Sequence, residues 1–278
     1  EWPQTAQRLA ASGLDAPVVF TNAPGHAAEL AEEAVAGGVR RIAVAGGDGT
    51  VCEVAECLHR AGAGELAILP LGTGNDAART LGVSSNLETA SRAAATGRCR
   101  PVDLIRVGDR LVLNAIGVGL IGDINDRAAH IKWIRGMGVY LTAALSALFR
   151  YRTQTVRVAA GEVVYEGTML ILAVHNGPTT GGGFALTPAA RPDDGLLDAC
   201  LVPEMGPVGR LARLVAAMRG TLAAKTGTVE LRAPWLELSF SEPLPAHFDG
   251  NSVVLEPPMV RFEVVPGALQ VVVSDGGE

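Results

Sequence analysis

Two glycine loops constrain this chain more than any other feature of its sequence. Ala45-Gly46-Gly47-Asp48-Gly49-Thr50 follows the apolar run Arg41 to Ala45. Behind it Val51, Val54, Ala55 and Leu58 have helical spacing, ended by Gly62 and Gly64. Leu69-Pro70-Leu71-Gly72-Thr73-Gly74-Asn75-Asp76 follows the run Leu66 to Leu69 and opens another helix from Ala77. A further strand is expected at Pro17 to Phe20, and a helix at Ala27 to Ala36. Strand, helix, strand, helix implies a parallel sheet with helices on its faces. Both loops then lie at the same end of successive strands, where ligands of open α/β sheets bind.

Each loop suits an anion. Glycine lets the backbone approach a ligand, and a helix N-terminus presents unpaired amides. Asp48 would repel phosphate unless a cation lay between them, so a magnesium-bridged nucleotide accounts for acid and glycines together. Thr73 and Asn75 add a hydroxyl and an amide. The first loop also reads as a tight strand-to-helix turn, with Asp48 and Thr50 as capping groups. Neither loop is a Walker A or a GxGxxG fingerprint.

From about Pro101 the rhythm changes. Strand-like runs are expected at Asp103 to Val107 and Arg110 to Asn114, joined at Gly108-Asp109. Further runs cover Thr155 to Ala159, Val163 to Tyr165, Thr168 to His175, Leu196 to Val202, Leu236 to Phe240, Val260 to Val265 and Leu269 to Val273. One long helix is expected from Asn125 to Phe149 and another from Val208 to Ala223. The 278 residues thus divide into an α/β domain at 1–98 and a mostly antiparallel β-sandwich domain at 99–278, with the extreme C-terminus packing back on the first.

Composition closes off several classes. With 23 Lys and Arg against 29 Asp and Glu, the net charge of −6 excludes a globally basic nucleic-acid binder. Four cysteines form no CxxC pair and five histidines no HExxH pattern, so zinc ribbons and redox pairs drop out and a reducing cytoplasm is expected. The longest nearly apolar stretch, Gly136 to Phe149, is shorter than the roughly 18 residues of a membrane-spanning helix. No signal peptide is expected, and a first residue of Glu suggests that the true start lies upstream. Between Arg127 and Arg152 there are five cations, including Lys132 and Arg135, and aromatics including Trp133, but no acid. That pattern suits an anionic membrane surface, or a core helix with solvated arginine ends.

GGDGT at 46–50 followed by PLGTGND at 70–76 resembles the diacylglycerol kinase catalytic domain family, which includes bacterial lipid kinases, sphingosine kinases and ceramide kinases. The first motif is shared with NAD kinases; the proline-led second one is similar to the lipid-kinase branch. The likeness extends over nearly the whole chain, through Pro101-Val102-Asp103, Gly119 to Asp123, His175-Asn176-Gly177, Gly181 to Gly183, Pro192 to Gly195 and His247 to Gly250. It implies an ATP-dependent kinase of a lipid hydroxyl, with diacylglycerol foremost, working with Mg2+. By the same resemblance Gly46, Gly47, Asp48, Gly49, Thr50, Val51 and Cys52 would line the ATP phosphates, with Gly72, Thr73, Asn75 and Thr21 as further nucleotide contacts. Asp123, Asn176 and Gly182 would face the lipid. Asp194, with the carbonyls of Arg191 and Leu196, would hold a structural magnesium; read locally, Asp193-Asp194-Gly195 is also an ordinary turn.

Two departures stand out. The family's opening Asn-Pro-x-x-Gly loop is absent. Where the family carries Asp-Gly-Glu, this chain has Asp249-Gly250-Asn251. An amide takes no proton from a hydroxyl, so Asp249 or Asp48 is expected to serve as base, Asn251 marking the altered catalytic position. The alternatives are a kinase of a smaller alcohol, or a protein that binds nucleotide or lipid without chemistry. The expected setting is cytoplasmic, as monomer or homodimer, transiently touching the inner membrane face to reach its lipid.

Overall fold

A computed structural model describes residues 2–131 and 137–273. In the first lobe α1 (Trp2–Ala11) and α2 (His26–Ala36) precede β1 (Arg41–Gly46), α3 (Asp48–Ala61), β2 (Glu65–Pro70), α4 (Asp76–Thr80) and α5 (Leu87–Thr96). β1 and β2 are parallel, Gly46 beside Pro70, which sets the two glycine loops side by side. α3 buries Val51, Val54, Ala55 and Leu58, the stripe its spacing predicts, and ends at Gly62 in the left-handed conformation. β2 is buried along nearly its whole length, as a parallel strand covered on both faces should be.

The second lobe begins with β3 (Arg98–Val107), β4 (Arg110–Val112) and β5 (Ala115–Gly119), then α6 (Leu120–Ala129) and α7 (Met137–Leu148). β6 (Gln154–Ala160), β7 (Val163–His175), β8 (Thr179–Thr180), β9 (Phe184–Ala185), β10 (Leu197–Pro203) and α8 (Pro207–Met218) follow. β11 (Val229–Ala233), β12 (Trp235–Ser239), β13 (Leu244–Phe248), β14 (Asn251–Leu255) and β15 (Met259–Val273) complete it. Pairing here is antiparallel, around a core that includes Ile105, Ile116, Leu172, Leu238 and Phe262. β15 joins the lobes. One edge carries β3 along most of its length, while the other pairs with β12 at Met259–Glu263 and with β2 at Gln270 and Val271. The architecture is therefore α/β with a mixed sheet and a β-sandwich-like second domain.

Several expectations give way to tertiary context. Pro17 to Phe20 forms no strand; Val18, Val19 and Phe20 are exposed, and no strand among the described residues takes their backbone groups. Val163 to Tyr165 and Thr168 to His175 are one strand, as are the two runs of β15, which absorbs Pro266-Gly267 as a bulge. The long helix over 125–149 is two helices, α6 stopping at Ala129 with His130 as its cap. Lys132, Trp133 and Arg135 lie outside the described residues.

Candidate active site

The two loops touch through bare backbone. A Cβ on Gly72 would lie 2.3 Å from the Gly47 Cα, so glycine is required at this crossing. Asn75, in the left-handed region, accepts from the Gly72 amide (2.9 Å) and donates to the Gly72 carbonyl (2.8 Å). Its side chain is thus spent holding the loop, not free for a phosphate. α3 starts at Asp48 beyond Gly47, and the amides of its first turn have no intrahelical acceptor, an anion site by construction. Thr73, within the second loop, and Thr21, 25 positions before Gly46, are exposed and have no side-chain partner among the described residues.

Val51 and Cys52 do not line this anion site. The Val51 side chain is in the core and its amide donates to the Gly47 carbonyl. Cys52 turns toward the second lobe and donates to Asp249 Oδ2 (3.0 Å). Burial pushes its thiol well up, and the Asp249 charge adds to that, so it stays a protonated donor.

Asp249 is the centre of the second-lobe wall, and it is not a free base. β4 and β5 are interrupted at Leu113-Asn114, and the amides of Leu113 (2.7 Å), Asn114 (3.0 Å) and Ala115 (2.7 Å) all donate to its carboxylate. With the Cys52 thiol, four donors occupy the roughly four lone-pair sites of two oxygens. Burial pushes this carboxyl up while its donors pull it down. Asp249 clamps a strand break; taking a proton would cost it a donor. Asn251 opens β14 on the cavity wall, and Asn125 Nδ2 holds the turn between them through the Gly250 carbonyl (2.8 Å).

A cavity of about 320 Å3 joins these parts. Its lining includes Asp48, Asp76, Asp249 and Asn251, and from the second lobe Leu120, Ile124, Leu148, Leu170, Phe184 and Leu214 together with Arg210 and Arg213. Asp48 Oδ1 accepts from the Ala77 amide (2.9 Å), which leaves Oδ2 without a partner among the described residues. Asp76, not singled out from the sequence, accepts from the Gly182 amide (2.7 Å) and pairs with Arg79. Burial pushes its carboxyl up and the neighbouring Asp48 charge adds to the rise. With Asp76 closed by the Arg79 guanidinium and the Gly182 amide, Asp48 Oδ2 is the open oxygen of the pair. Gly182 therefore acts through its amide on Asp76.

Three other expected positions are engaged elsewhere. Asp123 is not on the cavity wall; it pairs with Arg127 one turn along α6 (2.8 Å). Asn176 is buried and donates to the carbonyls of Asp103 (2.7 Å) and Leu113 (3.1 Å). Asp194 pairs with Arg232 and accepts from the Leu196 amide (3.1 Å), while Arg191 leans on Asp193. That loop is closed by protein partners, and a cation would have to displace a guanidinium; these residues do not fit a magnesium site as they stand.

Paired glycine loops at the end of a parallel sheet, facing a β-sandwich across one acid-rimmed cavity, define a two-lobed α/β kinase fold. The sequence profile of the diacylglycerol kinase catalytic domain matches residues 1–107, and that of the YegS C-terminal NAD kinase beta sandwich-like domain matches residues 114–273. A Pseudomonas aeruginosa protein named "Probable lipid kinase YegS-like" is 38% identical over 270 residues, 96% of this chain and 86% of that protein. A solved structure from Bacillus anthracis str. Sterne superposes with a TM-score of 0.82 at 26% identity, covering 99% of this chain and 91% of that one. A second from the same organism, described as a diacylglycerol kinase, gives 0.75 at 25% identity, covering 99% and 92%. An Archaeoglobus fulgidus NAD kinase in complex with ATP shares the fold alone, at 12% identity and a TM-score of 0.54, over 99% of this chain and 90% of that one. The chain belongs to the YegS-like lipid kinase family.

Proposed function

We propose that the chain transfers the γ-phosphoryl group of ATP to a lipid hydroxyl, diacylglycerol being the first acceptor, to give phosphatidic acid and ADP. The observation that carries this reading is a cavity lined both by Asp48 and Gly74 of the two glycine loops and by apolar side chains of the second lobe such as Leu120, Leu170 and Phe184. The α3 amides and the Gly72-Thr73 turn would bind phosphates. Magnesium carried on the ATP phosphates would neutralise charge on the transferring phosphoryl group. The apolar side chains would take the acyl chains and set the hydroxyl facing the loops. Asp48, whose Oδ2 is open, is the carboxylate best suited to receive the hydroxyl proton. Phosphoryl transfer rests mainly on positioning and charge, so a weak base slows it without abolishing it.

One observation favours a second reading, nucleotide or lipid binding without efficient chemistry, or transfer to a smaller alcohol. The acceptor side offers an amide at Asn251 and a fully engaged carboxylate at Asp249. ADP release with Mg-ATP should be measured on mixed micelles of diacylglycerol, ceramide or sphingosine, with glycerol as the soluble control. Lipid-dependent release that falls at least about 100-fold in Asp48→Ala supports the kinase. Silence on every lipid with turnover on glycerol, or ATP binding without turnover, supports the second reading.

A further inference from the structure

α4 reaches across to the second lobe from both of its ends. Asp76, its first residue, takes the Gly182 amide, and Thr80, its last, donates through Oγ1 to Asn114 Oδ1 (2.7 Å). Four positions apart, the two side chains share one face of the helix. Asn114 lies in the break between β4 and β5, is 3% exposed and lines the cavity. Each of its polar groups is engaged by a different segment. Its amide donates to Asp249 Oδ1 (3.0 Å) and its carbonyl accepts from the Asn176 amide (2.8 Å). Its Nδ2 donates to the Thr179 carbonyl of β8 (2.9 Å). Chemistry fixes the orientation of this side chain. A carbonyl only accepts, so Nδ2 must face Thr179, and Oδ1 is left for the Thr80 hydroxyl. The room for this contact comes from Gly177, where a Cβ would lie 2.1 Å from both Asn114 Oδ1 and Thr80 Oγ1.

Two hydrogen bonds therefore run from the helix behind the second glycine loop, through Asn114, to the turn that carries Asn251. We propose that Asn114, held by Thr80, is a positioning residue that sets the Asp249–Asn251 turn against the nucleotide loops. It would thereby set the acceptor hydroxyl against the phosphate, an inference that rests on the kinase reading. With its side chain fully engaged, Asn114 acts through Asp249 and through the position of the wall. A misplacement of about 1 Å can cost a reaction about 100-fold. ATP affinity, which the α3 amides and the Gly72-Thr73 turn would supply, is left intact by such a shift.

Thr80→Val keeps the shape of the side chain and removes its hydroxyl, so Asn114 Oδ1 loses its donor. In the ADP-release assay kcat should fall at least about tenfold, while calorimetric affinity for Mg-ATP stays within about twofold of wild type. Thr80→Ser keeps the hydroxyl and should restore kcat; a role in stability alone would move the melting temperature and not this split. Hydrogen exchange reads the same link without chemistry, and in the wild type it needs no variant to fold. Saturating Mg-ATP should slow amide exchange at residues 113–115 of the wild type. In Thr80→Val the slowing should be confined to the first turn of α3 and to residues 72–77. The proposal is overturned by an unchanged kcat in Thr80→Val, an equal loss in Thr80→Ser, a parallel loss of Mg-ATP affinity, or no slowing at 113–115 in the wild type. Slowing at 113–115 without phosphorylation of any acceptor would leave the link standing and remove the kinase reading.

Discussion

On the kinase reading proposed above, the turn Asp249-Gly250-Asn251 decides the acceptor side atom by atom. Asp249 spends both oxygens on the Leu113–Ala115 break and on Cys52, and Asn251, on the cavity wall, offers an amide where proton uptake needs a carboxylate. Asn251→Glu restores that carboxylate without touching the clamp. General-base help is worth about 10²–10⁴-fold, and the gain in kcat on lipid should be at least about tenfold, with KM for ATP unchanged. An unchanged kcat would mean that proton uptake by Asp48 does not limit turnover. Little of this was legible in the sequence. Asp249's amide partners lie 134–136 positions away, and nothing local announces that a carboxylate will be saturated. In the motif Gly72 to Asn75 read as the ligand-binding part, whereas in the fold Asn75 holds the loop and Asp76 faces the cavity.

At the scale of elements, local pattern was a sound guide wherever burial followed it. The α3 stripe and the β1 and β2 runs form as their spacing predicts, because one face or both meet the first-lobe core. It failed at Pro17 to Phe20, where an apolar run has no neighbouring strand among the described residues. It failed again at α6, where Gly122 packs so closely that a Cβ would meet the Pro245 backbone at 2.4 Å; contact with β13, invisible in the sequence, fixes that helix. The glycine loops show the same dependence on close approach. Gly72→Ala places a methyl group 2.3 Å from the Gly47 Cα and 2.8 Å from Asn75 Oδ1, so the loops must part. The expected result is a fall of at least about tenfold in ATP affinity, equivalent to ~1.4 kcal/mol, measured by titration calorimetry. Retained affinity would show that the crossing does not shape the nucleotide site.

Across the whole molecule β15 ties the lobes into one sheet, and two histidines lie buried where that sheet meets the cavity: His175 at the end of β7 beside Ala115, and His247 on β13 opposite Gly117. Burial pushes His175 down to about 3, with the neighbouring His247 adding to it, and His247 down to about 4. Both are neutral in the folded chain and take up a proton only on unfolding, near the ordinary value of about 6.5. Between the folded and unfolded values the unfolded state binds more protons, so stability is lost as pH falls below that point. The slope approaches about 1.4 kcal/mol per pH unit for each histidine. The raised carboxyls of Asp76, Asp198 and Asp249 act in the opposite sense, and comparing wild type with His247→Asn separates the two effects. Urea unfolding from about pH 7.5 to about pH 5.5 should show the wild-type stability falling and the variant losing less per unit, by close to one histidine's share. Parallel pH profiles would mean that His247 titrates in the folded chain and that the cavity admits water to it.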